Sequence, residues 1–180
     1  MSFGYQVLGF GSGSGKSFTP HNIDFLVIGG GGAGGNPTGG GGGGAGGYRT
    51  STQTINSSFV ITVTVGGTIL SSTDGNDSGI SGSGLTTINS TGGGKGGPNG
   101  PVDGNDGGSG GGGGAHGSRT NQGGSGNAGG YTPSEGNNGG RNVTSSPYPS
   151  GGGGGAGGAG SNASGSNCGP GGAGTASSIT

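Results

Sequence analysis

Glycine stands in uninterrupted blocks in this chain, at residues 39–44, 110–114 and 151–155. Such runs close off most ways of folding. Inside an α-helix glycine costs ~1 kcal/mol per residue relative to alanine. It gives a core no side chain, and it loses more conformational freedom on ordering than any other residue. An ordered fold must then cohere through its backbone, with every buried donor and acceptor paired. Collagen is one such solution, but it needs glycine at every third place and abundant proline. Here glycine supplies 61 of 180 residues in continuous blocks, with 8 prolines. What remains is the extended left-handed helix of polyproline II, with three residues per turn and ~3.1 Å rise. Built from glycine it keeps its N–H groups, and neighbouring helices pack with no Cβ between them. The alternative is a flexible linker.

The other residues narrow the partners. Only 6% of the chain is charged and the net charge is −1, so the high charge that accompanies disorder is lacking. Five Lys and Arg, scattered from Lys16 to Arg141, make no basic stripe for nucleic acid. No stretch approaches the ~20 apolar residues of a membrane span. Met1–Gly15 has neither a basic start nor a continuous apolar core, so no secretory signal is expected. One cysteine, Cys168, excludes an intrachain disulfide.

Two stretches imitate phosphate-binding loops. "DFLVIGGGGAGG" (24–35) carries G-x-G-x-x-G at Gly29, Gly31 and Gly34. That fingerprint needs a helix to follow and an acid about 20 residues on. The chain continues instead as "NPTGGGGGG", and the next acid is Asp74. "GSGSGKS" (11–17) lacks the first P-loop glycine, because position 10 is Phe10. No cofactor is expected.

The expected fold is mostly irregular and all-β: a small antiparallel β region plus a bundle of polyglycine-II-type left-handed helices, with essentially no α-helix. Ile23–Ile28 reads as a buried strand, Phe59–Val65 as a half-buried strand with alternating Thr, and Leu85–Ser90 as a weaker third. The block 29–47 is nearly symmetric about Asn36-Pro37-Thr38, and Asn-Pro is a turn signal. It predicts two antiparallel glycine helices. Further glycine helices are expected at 92–97, 107–114, 123–130, 136–140, 151–160 and 169–174, with alanines on their outer faces. The domain plan is a segment 1–20 and a glycine-rich domain 21–180, its β region at about 21–91 and its array at about 92–180 plus 29–47. In the first segment Phe3, Tyr5, Val7, Leu8 and Phe10 suit either docking on another chain's sheet edge or an ordinary first strand.

The order of motifs carries a resemblance. "FLVIGGGG", a block ending "GGYRT", "FVITVTVGG", "STGGG" and a long array ending "GGGGGAGGAG" follow one another. This pattern resembles the glycine-rich domains of tailed-phage virion proteins. More distantly it is similar to the tail-fibre-tip adhesins of T-even-type phages, which are sandwiches of glycine helices with exposed receptor-binding loops. Those adhesins carry a larger attachment domain before the array. The resemblance implies a non-enzymatic protein of the virion surface, present in multiple copies or as a homo-oligomer. It would contact other virion proteins and a host receptor. A purely structural decoration or fibre subunit and a self-assembling fibril are the alternatives.

Aromatic residues and Arg are the effective groups at recognition surfaces. Beside the glycine blocks these are Tyr48, Arg49, Arg119, Tyr131, Arg141 and Tyr148, with His116. They are the receptor-contact candidates, expected in turns at helix ends, although for Tyr48 and Tyr148 capping of the glycine core with their ring faces is the first reading. "DGND" occurs at 74–77 and 103–106. Its Asp74, Asp77, Asp103 and Asp106 suit turns, with a weak calcium site as the alternative.

Overall fold

The computed structural model describes residues 19–36, 38–56, 60–67 and 69–179. The expectations for Phe3, Tyr5, Val7, Leu8 and Phe10 lie outside these residues. Among the described residues there is no α-helix.

β1 (His21–Ile28) pairs antiparallel with β2 (Tyr48–Ile55). β3 (Ile61–Thr64), β4 (Ser78–Gly82) and β5 (Ile88–Ser90) form a second antiparallel sheet in that order. Alternation decides which faces meet. Phe25 and Val27 of β1 turn inward against Ile88, with Ile23, Ile61, Ile80 and Leu85 packed around them. β1 is thus buried on one face only, and Ile28 is exposed. Its outer face is polar in the first half, where Thr52 donates to Asp24 and Thr54 to Asn22, and carries Leu26 and Ile28 in the second. β2 and β4 were not expected as strands. β2 has a threonine-rich outer face, and its Gln53 both donates to and accepts from the backbone of Thr86 ahead of β5.

Beyond the sheets the chain forms extended segments, here called rods, whose hydrogen bonds repeat every third residue. In 109–115, Ser109, Gly112 and Ala115 donate to Ala45, Gly42 and Gly39. Gly110 and Gly113 donate to Asn137 and Gly140, and Gly111 donates to Asn105. The carbonyls point elsewhere. Those of Ser109 and Gly112 accept from Gly94 and Gly97, those of Gly110 and Gly113 from Gly154 and Gly151, and that of Gly111 from Gly124. All these bonds span 2.7–3.0 Å. One rod therefore binds six others (41–47, 92–97, 103–107, 121–127, 136–142 and 150–155), in three donating and three accepting directions.

Those six also bond to one another in a closed ring. Gly41 bonds to Gly97, Asn105 to Lys95, Gly104 to Gln122, Gly139 to Gly124, Gly140 to Gly152 and Gly42 to Gly151. This is hexagonal packing of three-fold helices. Described glycines with φ between +20° and +160° are Gly39, Gly84, Gly100, Gly130 and Gly165, all in or beside turns. The rods therefore have the hand of polyproline II. Further rods, 29–35, 73–76, 158–163 and 169–172, extend the lattice outward.

The symmetric block folds as its sequence suggests. Gly29, Gly32 and Gly35 donate to Gly47, Gly44 and Gly41, continuing without slip the register that sets Ile28 opposite Tyr48. β1 and β2 are the sheet-forming ends of one long hairpin whose glycine half belongs to the lattice.

Three expectations are corrected. The block 107–114 bends at 107–109, and 151–160 bends at 156–158, so each contributes to two rods. The "DGND" segments are rods, not turns: Gly75 donates to Gly93, and Gly104 to Gln122. Their acids, one helical turn apart, take the outward N–H groups of the adjoining rod. Asp74 and Asp77 accept from Lys95 and Gly92, Asp103 and Asp106 from Gln122 and Ser125. Finally, not all alanines face outward, since Ala115 is buried where the central rod ends.

Candidate functional site

The bundle has two unlike ends. Ser109 lies beside Ala45 near the sheets, and Ala115 lies beside Gly39 in the hairpin turn. Six steps of ~3.1 Å put about 19 Å between them.

Tyr48, Arg49 and Tyr131 stand at the sheet end. Tyr48 and Arg49 begin β2 rather than lying in a turn. The Tyr48 hydroxyl donates to the Ala176 carbonyl at 3.3 Å. The Arg49 guanidinium lies 3.6 Å over the centre of the Tyr131 ring and donates to the Asn89 carbonyl at 2.9 Å. These side chains join the sheets to the bundle. Beneath them Glu135 is 1% exposed. Its carboxyl oxygens accept from the backbone of Thr91 at 2.9 Å and Gly129 at 3.2 Å, and its own carbonyl accepts from Tyr48 at 2.7 Å.

His116, Arg119, Arg141 and Tyr148 belong to the turn end. Arg119 bridges to Asp103 at 2.8 Å and donates to the Pro101 carbonyl at 2.6 Å, closing one loop over another. Arg141 is exposed but lies in a rod: its N–H donates to Asn162 and its carbonyl accepts from Ala163. Tyr148 is 43% exposed and packs against Gly117. An open groove of about 410 Å³ lies here, its walls including His116, Gly117, Tyr148, Asn99, Ser166 and Cys168.

Asn121 and Asn142, which the sequence did not single out, hold this end together. Both are fully buried. Asn121 donates to the carbonyls of Gly100 and Gly114, and its N–H donates to Asn142. Asn142 donates to the carbonyls of His116 and Arg119. With Glu135 they are the largest fully buried side chains among the described residues. Each plugs a rod end where the three-fold ladder runs out of backbone partners. Their only sequence signal is position: all three lie within two residues of a glycine block.

No three His, Cys, Asp or Glu among the described residues converge on a metal position. Asp74, Asp77, Asp103 and Asp106 are spread along the rods, each accepting a backbone N–H. No helix among the described residues is long and apolar enough to cross a membrane.

The family model of the glycine-rich domain matches residues 12–180. The chain belongs to the glycine-rich domain family. Neither a curated protein nor a solved structure matches it. In this glycine-rich domain glycine backbone builds the lattice, while its aromatic side chains, Arg49 and Arg119 stand towards the two ends.

Proposed function

We propose that this domain is a non-enzymatic recognition scaffold of a tailed-phage virion surface, its turn end directed at a host receptor. The observation that carries the reading is the polarity of the molecule. The two small sheets and the Ala176 carbonyl that accepts from Tyr48 lie at one end. The loops around 38–40, 98–101, 116–120, 143–149 and 164–168 gather at the other. An attachment at the sheet end leaves that loop face free, and a hydrogen-bonded lattice holds it at low conformational cost on binding. The resemblance to phage glycine-rich proteins supplies the setting.

Binding of the purified, labelled protein to host cells tests this. Binding that weakens at least tenfold on Tyr148→Ala is expected; a protein that binds no cells would overturn the reading. A second reading, a structural subunit packing through glycine faces, is favoured by Gly31 and Gly34. Both are exposed on the outer rod, and a Cβ there would meet nothing closer than 3.7 Å. It predicts concentration-dependent assembly in sedimentation, abolished by bulky residues at these positions.

A further inference from the structure

We propose that the turn-end groove binds an uncharged saccharide, with Tyr148 as its stacking platform. This rests on the reading of the turn end as a recognition face and names the chemistry that the face would take. Tyr148 occupies a backbone position uncommon for a bulky side chain, φ +59°. A turn whose Tyr148 N–H donates to the Ser145 carbonyl at 2.8 Å holds it there. The position does not bury the side chain in the core, since Tyr148 remains 43% exposed. The ring rests on Gly117, where an added Cβ would stand 3.0 Å from it. One side is thus supported by backbone while much of the rest stays open. Strain retained at an exposed aromatic, in a concave place, is the pattern of a ligand clamp.

The walls decide the ligand class. The groove volume falls within the roughly 300–1,000 Å³ of small-molecule sites. Apart from His116, its lining carries no ionisable nitrogen or carboxyl group, which disfavours phosphate, sialic acid or a charged peptide. It offers short polar groups instead: the Thr38 and Ser166 hydroxyls and the Asn99 amide. Asn99 donates to the Thr38 carbonyl at 2.8 Å, which fixes the amide with its oxygen left to accept. His116 Nδ1 is buried with no hydrogen-bond partner, a polar atom that the fold does not satisfy. An aromatic face framed by Pro147 and Pro149, with hydroxyl and amide groups at its rim, matches a sugar ring. The C–H face of the sugar stacks and its hydroxyls hydrogen-bond.

The test is saturation-transfer NMR with maltose, lactose, chitobiose and methyl α-mannoside at millimolar concentration. Transfer to at least one sugar is expected, with shifts of the Tyr148 ring signals. Affinity should fall at least tenfold in Tyr148→Ala and severalfold in Asn99→Leu, and stay unchanged in Thr62→Ala on β3. Retained amide protection at Gly110–Gly113 shows that a variant is folded. Absence of transfer from all four sugars, or undiminished transfer in folded Tyr148→Ala, overturns the assignment. Cell binding separates the two readings. Cells bound equally by Tyr148→Ala would sink the saccharide groove and leave the scaffold reading standing on other loops. Sugar binding without cell binding would do the reverse.

Discussion

At Gly112 the lattice has no room for one more carbon. A Cβ there would fall on the Gly151 carbonyl, at Gly111 on that of Lys95, and at Gly110 on that of Gly124. Three successive residues thus meet three different rods, and no rotation of the rod relieves them all. Gly112→Ala is expected to cost roughly 3 kcal/mol or more, whereas exposed Gly34→Ala should change the melting temperature little; thermal denaturation compares them. The acids give a subtler contrast. Asp77 accepts the N–H of buried Gly92 at 2.8 Å. Asp77→Asn keeps an acceptor there and should be mild, while Asp77→Ala should cost about 1–3 kcal/mol. This role was hidden in the sequence because Asp-Gly is a good turn former on its own. That an acid every third residue serves the adjoining rod becomes visible only once rod directions are known. Tyr148 and His116 could be singled out as chemistry beside glycine. Asn121, Asn142 and Glu135 could not, since their partners are backbone groups of remote loops.

Among the elements, β1, β3 and β5 announced themselves through Ile, Val and Phe. β2 and β4 did not, because Thr, Ser, Gln and Gly match a strand only when a partner covers one face. The long hairpin shows how sheet and rod are joined. Its register runs unbroken from His21 opposite Ile55 to the pair Gly35 and Gly41, while its side-chain period passes from two to three. Phase is therefore the quantity that a rod must conserve. One glycine inserted after Gly111 turns every later residue by a third of a turn and aims its N–H at the wrong neighbour. Three inserted glycines restore the phase and lengthen the rod by a turn. The single insertion is expected to lower the melting temperature more than the triple one. Equal losses would show that length, not phase, is what the lattice reads.

At the scale of the molecule, few large apolar side chains lie inside among the described residues: Phe25, Val27, Ile55 and Ile88 are buried, with Ala115 and Ala163. Burial of apolar surface is what gives unfolding its large heat capacity, ~12–15 cal/mol/K per residue in ordinary domains. Calorimetry should find a clearly smaller value here and a correspondingly flat stability curve, with little weakening on cooling. A normal heat capacity would mean that the backbone lattice is not the main source of stability. Hydrogen exchange should be slowest at Gly110–Gly113, which are enclosed on all sides. One consequence concerns how such a molecule can change. The loop 143–149 makes its backbone bonds within itself, Val143 to Pro149 and Tyr148 to Ser145, so the lattice does not depend on what lies between them. In this loop, instructions for folding and instructions for contact are stored in different residues. A library randomised at 144–148 should keep the parent's melting temperature across most members, which makes the chain a carrier whose message can be rewritten without touching the page.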